Sequence, residues 1–191
     1  MQHVLRSIRK AASIALFAVA SFTLGACNSD NEYQTEAVTS PALESNARQA
    51  TTNFKQTDPG LQRFFDNAAG YAIFPEVTKG GFVIGASRGD GVLYERGSPT
   101  HYVTMTAGTI GAQIGGQVFS EIIFFKTVAE LDHFKQGHFE MDANASAVAV
   151  RSGASVAADY VNGVAVFVTG ERGLMAEASV GGQKFKVRRI Q

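Results

Sequence analysis

The stretch HYVTMTA, residues 101–107, alternates Val103, Met105 and Ala107 with Tyr102, Thr104 and Thr106. A period of two puts the first set on one side of an extended chain and the second on the other, so one face packs and the other meets water or a second layer. Leu174, Ala176, Ala178 and Val180 alternate with Met175, Glu177 and Ser179 in the same way. Of the 20 glycines, 18 fall between Gly70 and Gly182 and cut the sequence into short runs of this kind. That texture predicts an antiparallel β domain. Strands are expected at about 71–74, 80–87, 91–96, 101–107, 111–118, 120–126, 163–169, 173–180 and 183–188.

Helices are fewer. Thr127–Gln136 has a threonine cap, Glu130 three residues on, and Gly137 as a stop. Leu61–Ala68 follows the break Asp58-Pro59-Gly60, residues 44–57 permit a helix, and a short one is expected near 152–159. The fold class is therefore α+β: a curved or barrel-like antiparallel sheet with a few short helices. Two related segments, Ile114–Phe119 and Val180–Phe185, each carry Gly-Gly-Gln, and such glycine pairs are expected at tight crossings or bulges.

The N-terminus has a different texture. Arg6, Arg9 and Lys10 precede an uncharged apolar run, Ala11–Ala26, which is the layout of an export signal and too short to span a bilayer as a helix. It ends Leu24-Gly25-Ala26-Cys27, with small residues ahead of the chain's single cysteine, the pattern of a lipobox. Residues 1–26 are thus expected to be a lipoprotein signal peptide, and 27–45 an acylated Cys27 with a polar tether. The domain is placed at 46–191. Acyl chains on Cys27 would hold the protein on a membrane, each buried CH₂ contributing ~0.8 kcal/mol. Asn28 rather than Asp follows the anchor and points to the outer membrane, facing the periplasm.

Without residues 1–26 the chain has 14 basic and 17 acidic residues, so overall charge gives no attraction to nucleic acid. No phosphate loop or dinucleotide fingerprint is present, and neither a nucleotide nor any other cofactor is expected. Gly85-Ala86-Ser87-Arg88-Gly89 matches the spacing of a hydrolase nucleophile elbow, but Gly-Asp-Gly and another strand follow where the elbow requires a helix. A hairpin turn at this point is the better reading, and it also accounts for Arg88-Gly89-Asp90. His101, His133 and His138 stand in no metal-ligand spacing and read as surface residues. Glu121 and Glu177, within apolar strands, would suit acid/base work only as a buried pair. No enzyme is expected.

Beyond these motifs, the chain from Leu61 resembles the SYLF-domain family in its bacterial lipoprotein form. The blocks that carry the resemblance are Gly70-Tyr71-Ala72-Ile73-Phe74-Pro75, Lys79-Gly80-Gly81-Phe82, Ser120-Glu121, Phe139-Glu140, Ala145-Ser146-Ala147 and Gly173–Ser179. The resemblance implies a lipid-binding module with no catalytic residue. Some eukaryotic relatives also bind actin. That property is not carried over, because the N-terminal extension reads as a tether without a second recognition domain. Asp90 stands where a neutral or basic residue would better suit a phosphate contact.

The residues themselves supply a basic segment. Lys184, Lys186 and Arg188 fall on one face of a C-terminal strand, with Phe185 and Val187 on the other and Arg189 next to them. With Lys79 these are the candidate contacts to anionic phospholipid, each cation contributing ~1 kcal/mol near an anionic leaflet. Lysines that guard an edge strand would look the same. Two functions are therefore carried forward: a membrane-anchored domain that binds anionic phospholipid, and a structural or interaction protein of the envelope that binds another protein, whose identity the residues do not give.

Overall fold

The computed structural model describes residues 41–81, 84–110, 116–137, 139, 146–170, 178–179 and 182–191. Helix α1 (Pro41–Thr57) opens on proline at its first position, where the missing N–H costs nothing. Its Leu43, Ala47, Ala50 and Phe54 recur at spacings of four and three and form one buried stripe. The helix begins inside the expected tether, so residues 41–45 belong to the folded domain. A 3₁₀ turn, Pro59–Leu61, leads into α2 (Gln62–Asn67).

Strands β1 (Gly70–Gly81), β2 (Ile84–Glu95), β3 (Ser98–Ile110) and β4 (Gln117–Phe125) follow, then α3 (Val128–Lys135), β5 (Ser146–Ala149), a second 3₁₀ turn (Ala154–Ala157), β6 (Val164–Gly170), β7 (Ala178–Ser179) and β8 (Gln183–Arg189). The sheet order is β7-β5-β6-β4-β1-β2-β3-β8, antiparallel except for β5 against β6. The α+β class stands as expected, and the sheet is open: its two edges, β7 and β8, lie at opposite ends of the order.

Several expected boundaries shift, each for a physical reason. The turn at Gly89-Asp90-Gly91 does not exist. Both glycines lie inside β2, where they let it press against a bulge of β1 that spans Phe74 and Pro75, the β1–β2 register shifting between Ile73 and Glu76. A Cβ at Gly91 would sit 2.5 Å from the Ile73 carbonyl oxygen, and one at Gly89 2.9 Å from Val77 Cγ2. The β2–β3 hairpin instead turns at Arg96-Gly97, with φ of 51° and 80°, as a two-residue primed turn demands. Of the expected strand over 80–87, residues 80–81 end β1 and residues 84–87 open β2, so it is divided between two antiparallel strands in which Gly81 pairs with Gly85. The two Gly-Gly-Gln segments lead into β4 and β8, whose first residues are Gln117 and Gln183. Most of the expected strands 111–118 and 173–180 lies outside the described residues.

The two sheet faces carry separate cores. Phe54, Leu61 and Phe64 of the helical layer cover Ile73, Val92, Ile122, Phe124 and Phe167 on one face. On the other, Phe74, Met105, Ile123, Phe125, Val168 and Phe185 surround Leu131 and Phe134 of α3. Phe134 lies 4.6 Å from Phe125 of β4 and 5.0 Å from Phe185 of β8, ring centroid to centroid. Those strands are four steps apart, about 19 Å across a flat sheet at ~4.8 Å per step. The sheet is therefore rolled around α3 with this face inward, which is the curvature expected, without the closure of a barrel. At its N-terminus α3 is fastened as the sequence predicts: the Glu130 carboxylate accepts hydrogen bonds from the Thr127 amide, at 3.1 Å, and from the Thr127 hydroxyl.

The helical layer is tied to the distant 153–158 loop from both sides. Asp58, buried, accepts from the amides of Ser155 at 2.7 Å, Gly60 at 3.0 Å and Gly153 at 3.3 Å. Burial works against its charge, but the donors, Ser155 first, prevail and hold its carboxyl below the ordinary 3.8. Arg63 donates to the carbonyls of Ser155, at 2.8 Å, and Ala158.

Candidate functional site

The helix-bearing face of the sheet is covered only in part. Glu44 of α1 accepts from the Tyr102 hydroxyl at 2.9 Å, and beyond this contact the outer face continues as a polar shelf. Cross-strand register fixes its rows, because residues directly opposed in an antiparallel pair share a face. One row runs Val118, Thr78, Arg88, Thr106, Lys184 across β4, β1, β2, β3 and β8. The next runs Glu76, Asp90, Thr104, Lys186, and the third reaches Arg188 through Val92 and Tyr102. Thr78, Arg88, Thr106, Lys184, Lys186 and Arg188 are all exposed.

Three of the expected cations thus lie together on the face the alternation gives them. Arg188 stacks over the Tyr102 ring at 5.5 Å. Along β8 the side chains of Lys184, Lys186 and Arg188 repeat every ~6.8 Å, at two residues per repeat. Arg88 joins them from two strands away. Sequence reading missed it, because its place follows from a register that no local pattern encodes and because Gly89-Asp90-Gly91 looked like a turn.

The other two candidates lie elsewhere. Arg189 pairs with His101 on the opposite face, beside the ion-pair cluster of Lys135 with Glu95 at 3.2 Å and Asp132 at 2.8 Å. Lys79 is 8% exposed and points to the rolled inner face between Ser87 and Gln117, so it does not belong to the shelf.

Acids bound the shelf on its α1 side. A cleft of about 370 Å³ between α1 and the β1–β2 bulge is lined by Leu43, Asn46, Glu76, Thr78, Arg88 and Asp90. Asp90 accepts from the Thr104 hydroxyl at 2.7 Å. With two carboxylates to one cation, this cleft disfavours an anion. The β8 side, about 10 Å away across two strands, is cationic and lies beyond the ~8 Å screening length at physiological salt.

The remaining candidates are placed as follows. Ser87 is buried in mid-strand with Lys79 and Ala107 as register partners, which is not an elbow. His101 is only partly exposed, against the surface reading: burial lowers its pKa, with Glu95 at 3.7 Å opposing. His133 is exposed. Glu121 is fully buried and pairs with Gln183, while Glu177, His138 and Cys27 lie outside the described residues. Among the described residues no three His, Cys, Asp or Glu converge on a metal position, and no helix is long and apolar enough to cross a membrane.

Residues 106–190 match the model of a family described as "Ysc84: Las17-binding protein actin regulator". The matched stretch begins in β3 and contains all of β8 with its cations. A protein of Aeromonas veronii named Beta cell expansion factor A is 30% identical over 145 residues, which cover 75% of this chain and 55% of that protein. The chain therefore spans little more than half the length of that relative.

Proposed function

Since the chain carries a domain of the Ysc84/SYLF family, matched over residues 106–190, we propose that the protein is a lipid-anchored lipoprotein of the cell envelope whose domain binds anionic phospholipid without catalysing a reaction. One observation carries the reading: Lys184, Lys186 and Arg188 of β8 and Arg88 of β2 stand exposed on the same uncovered sheet face. The three cations of β8, contributing ~1 kcal/mol each at an anionic surface, with a smaller share from Arg88 because Glu76 and Asp90 flank it, make a weak site. A protein already held at the bilayer through Cys27 needs no more, because tethering raises the local concentration of headgroups. The signal-like residues 1–26 and the polar segment after Cys27 supply that tether, and Asn28 favours the outer membrane. The actin regulation in the family description is not extended to this chain.

The test is co-sedimentation of the chain lacking residues 1–27 with vesicles of phosphatidylcholine alone or with phosphatidylglycerol or cardiolipin. Binding should need the anionic lipid and weaken steeply with salt. The combined change of Arg88, Lys184, Lys186 and Arg188 to Gln should remove most of it, whereas Arg189→Gln, on the opposite face, should leave it nearly intact. Binding that survives the fourfold change discards the shelf. No binding at any ionic strength discards the phospholipid reading in favour of a protein partner in the envelope.

A further inference from the structure

Inside the rolled sheet, Glu121 of β4 is fully buried between its register partners Phe74 and Val168. Its Oε2 accepts from Gln183 Nε2 of β8 at 3.0 Å, a bond between strands four steps apart in the sheet order. Two buried oxygens of this pair, Glu121 Oε1 and Gln183 Oε1, have no hydrogen-bond partner. Both are acceptors, and they belong to two planar groups already joined by one bond. A single proton satisfies both. With Oε1–H of Glu121 donating to Gln183 Oε1, while Gln183 Nε2–H donates to Glu121 Oε2, the pair closes as a two-bond acid–amide ring.

We propose that Glu121 is carried as the neutral acid, closed in this ring with Gln183, and that the ring is a proton-dependent latch holding β8 across the inner face to β4. The surroundings favour the neutral form. Phe74 and Val77 of β1, Val168 of β6, Phe185 of β8 and the flanking Phe119 and Ile123 are buried and apolar. Of the cations on this face, Lys79 stands five residues along β1 from Phe74, in the row Gln117, Lys79, Ser87, Ala107, Gln183, and Arg189 stands six residues along β8 from Gln183, paired with His101. From β2, β3 and α3, the charges Glu95, His101 and Lys135 gather with Asp132 at the other end of the sheet, and His133 is exposed. Burial raises the Glu121 carboxyl from 4.5 to about 7, and only the Gln183 hydrogen bond opposes it.

The sign follows. Because the folded chain holds this proton up to about pH 7 and the unfolded chain only to about 4.5, the latch contributes fully below pH 4.5 and is lost as pH rises through 7. The folding equilibrium should fall on the order of a hundredfold across that window from this group. Gln183 opens the strand that carries Lys184, Lys186 and Arg188, so an opened latch would free the cationic edge itself.

The test is a titration of the protein labelled with ¹³C-glutamate, together with amide hydrogen exchange. The Glu121 carboxyl carbon should titrate near pH 7. The Lys184–Arg189 amides, corrected for intrinsic rates, should lose protection above that titration. Glu121→Gln, which can close an amide–amide ring without a proton, should remove the pH dependence and keep the fold. Titration near 4.5 overturns the neutral acid, and β8 protection that stays constant through the titration overturns the latch. If Glu121→Gln does not fold, the wild-type titration and exchange decide alone. None of these readouts involves lipid, so the proposal stands or falls apart from the phospholipid reading.

Discussion

Asp58 and Ser155, 97 residues apart, are joined by a 2.7 Å hydrogen bond from the Ser155 amide to the Asp58 carboxylate. With the amides of Gly60 and Gly153 on the same carboxylate, this bond fastens the helical layer to the loop before β6.

Asp58→Ala strands three amide donors and should cost at least about 1–3 kcal/mol at pH 7. The folded-state pKa lies below 3.8, so the stabilisation is present above about pH 4 and disappears as pH falls through the folded value. Urea midpoints at pH 7 and below pH 4 check this. The variant should fall well below wild type at neutral pH and approach it in acid, and equal midpoints at pH 7 would refute the clamp.

Gly91 and Gly116 should respond in opposite ways to alanine. At Gly91 the new Cβ meets the Ile73 carbonyl oxygen at 2.5 Å, while at Gly116 its nearest neighbour is the Lys79 carbonyl oxygen at 3.9 Å. Gly91→Ala should cost more than about 1 kcal/mol, and Gly116→Ala should be neutral or gain up to ~1 kcal/mol through the unfolded chain. Thermal denaturation of the two variants side by side distinguishes them, and a cost at Gly116 equal to that at Gly91 contradicts the account.

Cys27→Ser should leave an unprocessed precursor, because acylation of sulfur precedes cleavage at a lipobox. Mass spectrometry of the membrane fraction reads this directly: wild-type protein should begin at Cys27 with added acyl mass. A wild-type N-terminus at Cys27 without that mass ends the lipoprotein proposal.

What could be read ahead of the structure was local. The Thr127–Glu130 cap is a contact three residues long, and the alternation of Lys184, Lys186 and Arg188 with Phe185 and Val187 needs only a strand. Gly89-Asp90-Gly91 misled because glycine serves both turns and close backbone approach, and the sequence does not say which partner presses against it. Lys79 misled because the β1 bulge between Phe74 and Val77 shifts the alternation by one residue and turns Val77 and Lys79 to the inner face. Arg88 escaped because joining it to Lys184 requires the register of three strands. Asp58 looked like a mere break, since its partners lie 95 and 97 residues away.

The rolled sheet also sets an order of events in folding. Hairpins β1–β2 and β2–β3 join neighbouring segments and can form early, but Phe134 gains its second wall only when Phe185 reaches it. The cluster around α3 therefore completes late, through contacts between segments far apart in sequence, and a topology of this kind folds in milliseconds to seconds rather than microseconds. A chain delivered N-terminus first would expose Phe74 and Phe134 until β8 arrives. Aromatic surface left open during that interval favours aggregation over folding.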